Sequence, residues 1–568
     1  MPLDLGAMRP RKAYAILSFL VLSACARGPT YDLIIRHGTV YDGTGAPGVV
    51  EDVAVQGDRI AALGDLSRSK GRQEVDAAGL AVAPGFIDML NHSETSLIAD
   101  GRSQSMIRQG VTLLVFGESS MGPLSESMKK YQTERQGDIK FDITWSTLGE
   151  FLDTLVARGV STNIASFVSA ATIRSKEIGL DNRPPTAQEL DRMRADVRQA
   201  MDEGAMGLTT ALIYIPGVFA KTDELVELSK VASASGGMYI SHMRSEGDRL
   251  LEAINETLTI AREAHIRAEI YHLKVSGKSN WPKLDQAIAK IEDARKQGLE
   301  ITADMYTYTA GSTGLDASMP PWVQEGGYDA WAKRLKAEKI RARVRKEMLA
   351  NQNEWENLLL AAGGDGVLLV GFKNEALRGY TGKTLAEVAK LRHRSVQDTA
   401  MDLVVEDGSR VQVIYFLMSE DNVKRQIQLP WVSFGSDASS MSAEGVFLKT
   451  STHPRAYGNF ARLLGKYVRD EHVIPLAEAI RKLTSLPAAN LRIKERGKLA
   501  PGYFADIVAF DPQTIADRAT YEQPHQYATG VRDVWVNGVE VLKDGEHTGQ
   551  KPGRVVRGPG WKAPQGTK

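Results

Sequence analysis

Five side chains that can bind a metal or carry a proton follow short apolar runs in the sequence. They are His92, Glu118, His242, His272 and Asp437. Histidine and carboxylate groups together suit Zn²⁺, which binds imidazole nitrogen at about 2.0–2.1 Å and carboxylate oxygen at about 2.0–2.2 Å. The five residues therefore predict a zinc centre, provided that the fold brings the ends of their strands together.

The pattern of apolar runs between residues 85 and 490 predicts a fold that does so. Short apolar runs such as 112–115 and 207–212 alternate with amphipathic helical stretches such as 187–202 and 283–296. This alternation is typical of repeated βα units around a parallel sheet, most economically a closed (β/α)8 barrel. Functional residues of such barrels lie where strands end in loops at the carboxyl face, and the five residues occupy such positions.

The segments outside the barrel have a different character. Residues 25–84 and 491–558 are rich in short strands and turn signals, which predicts one small β-sandwich built from both ends of the chain. Residues 315–428 break the barrel rhythm and are rich in Lys, Arg and Glu. We interpret this stretch as an inserted subdomain or lid, and the alternative is two further βα units.

Composition excludes several functional classes. The 568 residues contain 70 Lys and Arg against 70 Asp and Glu, so the formal net charge is zero. A balanced charge argues against a nucleic-acid partner and against a basic membrane-binding surface. The single cysteine excludes an internal disulfide and a cysteine-rich zinc site, so a metal must be held mainly by histidines and carboxylates.

The first residues have the order of a secretory signal. A basic cluster at residues 9–12 precedes an apolar stretch at 13–22, and Leu-Ser-Ala then leads into Cys25. Such a stretch is too short to span a hydrocarbon core of roughly 30 Å. It resembles a bacterial lipoprotein signal, which implies removal of residues 1–24, lipidation of Cys25 and, because Ala26 follows, placement on the periplasmic or surface side of an outer membrane. The alternative is an ordinary cleaved signal with an incidental cysteine.

Several motifs resemble those of one protein superfamily. PGFID at 84–88 and GYFADIV at 502–508 look like amidohydrolase signatures. Other motifs closely resemble the N-acyl-D-amino-acid deacylases, or D-aminoacylases: HMRSE at 242–246, AGST at 310–313, THPR at 452–455, DRATY at 517–521, PHQY at 524–527 and VNG at 536–538. The resemblance covers residues 31–558 and is weakest across residues 315–428.

The resemblance implies roles for individual residues. His242 and His272 match the two strand-end zinc ligands of the family, and Asp437 matches its catalytic aspartate. The positions expected to grip the carboxylate and amide of the substrate are Lys274, Arg455, Tyr214, Tyr306 and Ser312. An arginine suits a carboxylate because its guanidinium binds both oxygens.

Two departures from the family pattern bear on the number of metals. Leu90 occupies the first position of the usual His-x-His, which leaves only His92. Ser119 occupies the position of a frequent bridging cysteine, and the preceding Glu118 offers a carboxylate in its place. We therefore expect one well-formed zinc site, made by Glu118, His242 and His272, and a weak or absent second site near His92.

These observations predict zinc-dependent hydrolysis of a small N-acyl amino acid, with Asp437 as general base and then acid. Selectivity for the D-enantiomer is implied by the resemblance alone. One alternative is another amidohydrolase, such as a dipeptidase or cyclic-amide hydrolase acting on periplasmic peptides. A second alternative is a catalytically silent lipoprotein that binds acylated ligands.

Overall fold

The computed structural model describes Met1 and residues 29–350 and 354–563. The predicted signal segment beyond Met1 and the predicted lipidation site Cys25 lie outside the described residues. Within the described ranges, no helix is both long and apolar enough to cross a membrane.

The strands and helices follow one another in the following order. The strands are β1 (Thr30–Val40), β2 (Val49–Gln56), β3 (Arg59–Gly64), β4 (Lys70–Asp76), β5 (Ala81–Pro84), β6 (Phe86–Asn91), β7 (Val111–Phe116), β8 (Asn163–Ser166), β9 (Val168–Ser169), β10 (Gly207–Ala211), β11 (Met238–His242), β12 (Arg267–Ile270), β13 (Ile301–Met305), β14 (Ala310–Gly314), β15 (Val367–Gly371), β16 (Gln412–Phe416), β17 (Val432–Phe434), β18 (Ile507–Phe510), β19 (Val531–Val536), β20 (Val539–Lys543) and β21 (Glu546–His547). The α-helices are α1 (Ser96–Ala99), α2 (Gln104–Ile107), α3 (Glu126–Arg135), α4 (Leu148–Arg158), α5 (Ala170–Glu177), α6 (Ala187–Asp202), α7 (Thr222–Ala234), α8 (Leu250–Glu263), α9 (Leu284–Lys296), α10 (Pro321–Gln324), α11 (Tyr328–Arg334), α12 (Glu338–Leu349), α13 (Leu358–Ala362), α14 (Leu385–Leu391), α15 (Val396–Asp407), α16 (Glu420–Ile427), α17 (Arg455–Arg462), α18 (Leu476–Leu483) and α19 (Ser485–Asn490).

Parallel strands close into a barrel. The order is β6, β7, β8 with β9, β10, β11, β12, β13 and β17, and all of these neighbours pair in parallel. A parallel bridge between Asn91 and Ala438 returns the last strand to the first. Because β8 and β9 are separated by one residue and share one position, the barrel has the eight positions of a (β/α)8 fold.

The barrel helices form because their sequences combine capping signals with one apolar face. Thr147 with Glu150 and Thr186 with Glu189 make capping boxes at the start of α4 and α6, which satisfy backbone N–H groups that have no partner inside the helix. In α8 the residues at helical spacing are buried: Leu250, Ala253, Ile254, Thr257, Leu258 and Ala261. Burial of these faces against the strands fixes the loops at the carboxyl face.

Both ends of the chain contribute to one further sheet. Its order is β21-β20-β19-β18-β5-β1-β2-β3, with β4 paired to β1. The sheet curls on itself, so that the β2–β3 turn reaches the segment before β18. There Ala505 N donates to Asp58 O at 2.9 Å. Apolar residues of both ends, from Leu33 to Trp535, share the enclosed core. The other face packs on the barrel, where the rings of Phe86 and Phe510 lie 6.1 Å apart.

An inserted subdomain lies between barrel strands β13 and β17. Antiparallel strands β14, β16 and β15 form its sheet, and its apolar core runs from Leu315 to Leu417. Its boundaries differ from the predicted 315–428. The start is earlier because β14 pairs with β16, and the end is earlier because Val423 and Ile427 of α16 pack into the core of the barrel.

Candidate metal centre

The five predicted residues lie at one face because each follows a barrel strand. His92 follows β6, Glu118 follows β7, His242 ends β11, His272 follows β12 and Asp437 follows β17. Glu118, His272 and Asp437 have φ angles of 61°, 34° and 49°. Such left-handed conformations cost a non-glycine residue about 1–3 kcal/mol and cluster at functional sites, so the backbone is bent specifically where the side chains must turn inward.

Glu118 joins the two predicted zinc histidines. Its Oε1 lies 2.8 Å from His242 Nδ1 and 2.8 Å from His272 Nε2. The His242 and His272 rings are 4.6 Å apart and nearly perpendicular. Burial alone would raise the pKa of the Glu118 carboxyl, but the two imidazoles hold it well below its usual range. The carboxylate therefore stays ionised, as a metal ligand must be.

A second group of ligand atoms shares Glu118. His92 Nε2 lies 3.0 Å from Asp437 Oδ1 and 3.9 Å from Glu118 Oε2. Burial acts to lower the pKa of His92, but the Asp437 and Glu118 carboxylates outweigh it and raise the pKa to about 9. Leu90, at the position of the missing histidine, is fully buried in the barrel core, so no ligand is supplied from that side.

Glu118, and not Ser119, faces the histidines. Ser119 is exposed, and its backbone N–H donates to Gly117 O at 2.7 Å. The Glu118 backbone N–H donates to Thr209 Oγ1 at 3.1 Å, which anchors the bend after β7. The structure therefore turns the Glu118 carboxylate, and not the Ser119 hydroxyl, toward His242 and His272.

The predicted substrate-binding cations flank the ligands. Arg455 Nη1 lies 2.8 Å from Asp437 Oδ2, and Lys274 Nζ lies 2.7 Å from Glu246 Oε1. The buried Tyr306 ring lies between the two cations, at 4.5 Å from the Arg455 guanidinium and 5.5 Å from the Lys274 ammonium. Arg455 Nε is buried and makes no hydrogen bond to the described residues, so this donor is free to bind a ligand group.

Two other predicted binding residues, Tyr214 and Ser312, form side-chain hydrogen bonds with residues of the inserted subdomain. The Tyr214 ring lies 5.5 Å from that of His242, and its hydroxyl donates to Thr313 Oγ1 at 2.9 Å. Tyr214 therefore joins the centre to the insertion. The Ser312 hydroxyl donates to Val413 O at 2.9 Å. Within the described part of the chain this is its only side-chain hydrogen bond, and its role in substrate binding stays a prediction.

Sequence reasoning assigned no role to two carboxylates that support the centre. Asp304, at the end region of β13, accepts a hydrogen bond from His272 N at 2.9 Å through Oδ1. Glu246 contacts both His272 and Lys274. Asp304 lies near the end of an apolar strand, as the predicted ligands do, so the same criterion indicates it in the sequence. Glu246 follows His242 by four residues in a loop, where spacing alone gives no signal.

Comparison with known proteins identifies the class. The pattern that describes the amidohydrolase family matches residues 73–542. The chain belongs to the amidohydrolase family.

Within that family the chain is similar to D-aminoacylase from Alcaligenes xylosoxydans xylosoxydans, at 34% identity over 531 residues, which cover 93% of this chain and 97% of that protein. A solved D-aminoacylase with a binuclear metal centre matches with a TM-score of 0.78 and 34% identity, covering 93% of this chain and 100% of that one. The N-acyl-D-glutamate deacylase of Bordetella bronchiseptica, solved with zinc and a phosphonate inhibitor, matches with a TM-score of 0.77 and 30% identity, again covering 93% and 100%. The predicted resemblance and fold class are confirmed. The roles of the individual residues stay predictions.

Proposed function

We propose that this protein is a zinc-dependent N-acyl-D-amino-acid deacylase. It hydrolyses the amide bond of an N-acyl-D-amino acid and releases a D-amino acid and a carboxylic acid. The observation that carries the proposal is the contact of Glu118 Oε1 with both His242 and His272, at 2.8 Å each. The relatives at 30–34% identity that carry deacylase names support the substrate class.

The residues present fit zinc. Glu118, His242 and His272 offer ligand atoms that all lie within 4.8 Å of one another, and two imidazoles with one carboxylate are a ligand set of catalytic zinc sites. Zinc there supplies Lewis acidity, which activates water and polarises a carbonyl. The group made by His92, Glu118 and Asp437 offers a second position. We expect that position to bind more weakly because Leu90 replaces a histidine.

The other side chains bind the substrate and move protons. Asp437 accepts a proton from the attacking water and returns it to the leaving amine, as general base and then acid. Arg455 and Lys274 bind the α-carboxylate, and the unpartnered Arg455 Nε supports this assignment. Tyr306 lies against both cations and orients them.

A substrate panel tests the proposal. N-acetyl derivatives of D- and L-amino acids, dipeptides and a cyclic amide are incubated with zinc-loaded protein, and amine release is measured. We expect hydrolysis of the N-acetyl-D-amino acids and loss of it after chelation. Faster hydrolysis of dipeptides or of the cyclic amide would favour another amidohydrolase activity, and no hydrolysis of any compound would overturn the proposal.

We further propose that the chain is exported and anchored by lipid at Cys25, on the periplasmic or surface side of an outer membrane. The order of basic, apolar and small residues before Cys25 supports this placement. Expression of the full chain with Cys25→Ser tests it by fractionation. We expect the variant to leave the membrane fraction with its activity intact, whereas unchanged membrane association would refute the anchor.

A further inference from the structure

His453 binds two separate segments of backbone through its two ring nitrogens. Nδ1 accepts a hydrogen bond from Arg455 N at 3.0 Å, and Nε2 lies 3.0 Å from Ala310 O. A carbonyl oxygen only accepts hydrogen bonds, so Nε2 carries the proton and donates it to this bond. The histidine is only 2% exposed. Loss of either contact would therefore leave a polar group buried without its partner.

We propose that His453 is a positioning residue, which fixes the backbone of Arg455 against strand β14 and so holds the guanidinium where the substrate carboxylate binds. His453 acts through Arg455. The proposal rests on the proposed function, because that function assigns the substrate carboxylate to Arg455.

The contact with Arg455 completes the start of helix α17. Arg455 is the first residue of this helix, and the preceding Pro454 makes no side-chain hydrogen bond to the helix. The first N–H groups of a helix have no acceptor within it, and a side chain just before the helix commonly supplies one. His453 Nδ1 supplies it here, and thereby sets the position of the first residue of α17.

The contact with Ala310 connects this helix start to the inserted subdomain. Ala310 begins β14 and lies opposite Phe416 of β16 in the sheet of the insertion. Strand β14 also carries Ser312, another residue predicted to bind the substrate. His453 therefore joins the helix that carries Arg455 to the strand that carries Ser312.

Three aromatic rings pack around the ring of His453. The centroids of Tyr308 and Tyr521 each lie 5.3 Å from that of His453, and the centroid of Tyr306 lies 6.5 Å from it. The ring of Tyr306 also lies 4.5 Å from the Arg455 guanidinium. The same aromatic side chain thus contacts both the histidine and the cation that the histidine positions.

A neutral imidazole is well suited to this bridge. It offers one acceptor and one donor on different sides of a rigid ring, which matches one backbone N–H and one backbone carbonyl. Burial, and then the charge of Arg455, lower the pKa of His453 well below its usual value. The ring therefore keeps one donor and one acceptor at neutral pH.

Two amide side chains separate the two contacts. The side-chain oxygen of asparagine can take the position of Nδ1, and the longer glutamine can place its amide nitrogen at the position of Nε2. His453→Asn therefore keeps the acceptor for Arg455 N and gives up Ala310 O. His453→Gln does the reverse, and His453→Phe gives up both contacts.

Hydrogen exchange on the zinc-loaded protein tests the contact with Arg455 without any substrate. The exchange is followed by mass spectrometry on a fragment that includes residues 452–460. One amide should exchange about tenfold faster in His453→Gln and His453→Phe than in wild type, because the Arg455 N–H loses its acceptor. His453→Asn should exchange as wild type does. Equal exchange in wild type and His453→Gln would overturn the role of Nδ1.

Steady-state kinetics on an N-acetyl-D-amino acid and on its amide test the effect on the substrate. Loss of either contact breaks the connection between Arg455 and β14, so KM for the acid should rise about tenfold in both His453→Asn and His453→Gln, the effect of one buried hydrogen bond. His453→Phe should be at most about threefold worse than either, because contacts that act through one another are not additive. The kcat and the zinc content should change little, and KM for the amide should stay within about threefold of wild type.

His525 provides a matched control on the same helix. Its Nε2 lies 2.8 Å from Thr450 O, and its Nδ1 lies 3.1 Å from the hydroxyl oxygen of Tyr457 in α17. It therefore makes the same kind of bridge two residues beyond Arg455. His525→Asn and His525→Gln should leave KM for the acid as in wild type. An equal rise in KM in the His525 and His453 variants would mean that any disturbance of α17 has this effect, and would overturn the proposal.

The remaining outcomes are equally decisive. An equal rise in KM for acid and amide, or an effect of His453→Phe that equals the product of the two single effects, overturns the role of His453. If His453→Phe does not fold, the other two variants decide, and a wild-type KM in either of them overturns the proposal. If wild type hydrolyses no N-acyl-D-amino acid, the proposed function fails, and hydrogen exchange still decides whether His453 holds Arg455.

Discussion

Arg455 Nη1 lies 2.8 Å from Asp437 Oδ2, so the residue assigned to the substrate carboxylate is paired with the residue assigned to proton transfer. Burial acts to raise the pKa of Asp437, but Arg455 and His92 outweigh it and hold the pKa well below its usual range. Under the proposed function, a substrate carboxylate would compete with Asp437 for the Arg455 guanidinium.

Replacement of Arg455 tests whether the site is built for a free carboxylate. Arg455→Ala should lower kcat/KM for an N-acyl-D-amino acid by the equivalent of about 2–5 kcal/mol, because a buried charge pair with the substrate is lost. Arg455→Lys keeps the charge but not the planar fork, and should cost less. The measurement compares the acid with its neutral amide.

The amide is the control for this prediction, because it carries no carboxylate for Arg455 to bind. Its kcat/KM should change much less in both variants. An equal loss on acid and amide would mean that Arg455 supports the structure of the site or the charge of Asp437 and does not select the substrate.

Neighbouring substitutions at 118 and 119 test which residue binds zinc. Glu118→Gln removes the ligand shared by His242 and His272, so the loss of zinc affinity should exceed the roughly 10–100-fold that removal of an outer partner costs. Ser119→Ala, one residue along and exposed, should bind zinc as wild type does. Equilibrium dialysis with metal analysis gives both values. If Ser119→Ala lost zinc affinity while Glu118→Gln retained it, Ser119 and not Glu118 would be the ligand.

The strand-end rule located most of the centre because parallel strands bring their carboxyl ends to one face. His242, His272 and Asp437 follow apolar runs that are readable in the sequence, and each run proved to be a barrel strand. The choice between Glu118 and Ser119 was not readable. It depends on a left-handed bend, with φ of 61° at Glu118, which turns the first side chain inward and leaves the next one outside.

Local sequence patterns did not predict the contacts between segments that are far apart in the chain. The two signature motifs touch, since Gly85 N donates to Asp506 O at 2.9 Å, although they lie hundreds of positions apart. The insertion boundaries depend on which core α16 joins, and the Ser312 hydroxyl donates to Val413 O on the neighbouring strand β16. Periodicity reports which face of an element is apolar, and not which other element covers it.

Asp506 should matter for stability rather than for catalysis. It is buried, forms an ion pair with Arg496, and accepts a hydrogen bond from Asn537 N at 2.8 Å. Asp506→Ala leaves a buried guanidinium unpaired, which should lower the free energy of unfolding by about 3–5 kcal/mol. Urea unfolding followed by circular dichroism measures the change.

The exposed Glu522→Gln is the control for Asp506 and should lie within about 0.5 kcal/mol of wild type. The folded Asp506→Ala protein should still bind zinc, because the residue lies in the terminal sheet. If Asp506→Ala left the free energy of unfolding unchanged but abolished zinc binding, the assignment of Asp506 to stability alone would be wrong.

Asp437→Asn, with zinc content and kcat measured on the same preparation, tests the central claim most directly. The amide is nearly isosteric but cannot accept the proton of water, so kcat for an N-acetyl-D-amino acid should fall by about 10²–10⁴-fold. Zinc should stay bound, because Glu118, His242 and His272 form their group without Asp437. A variant that keeps its zinc and most of its kcat, or one that loses its zinc along with its activity, would contradict the account.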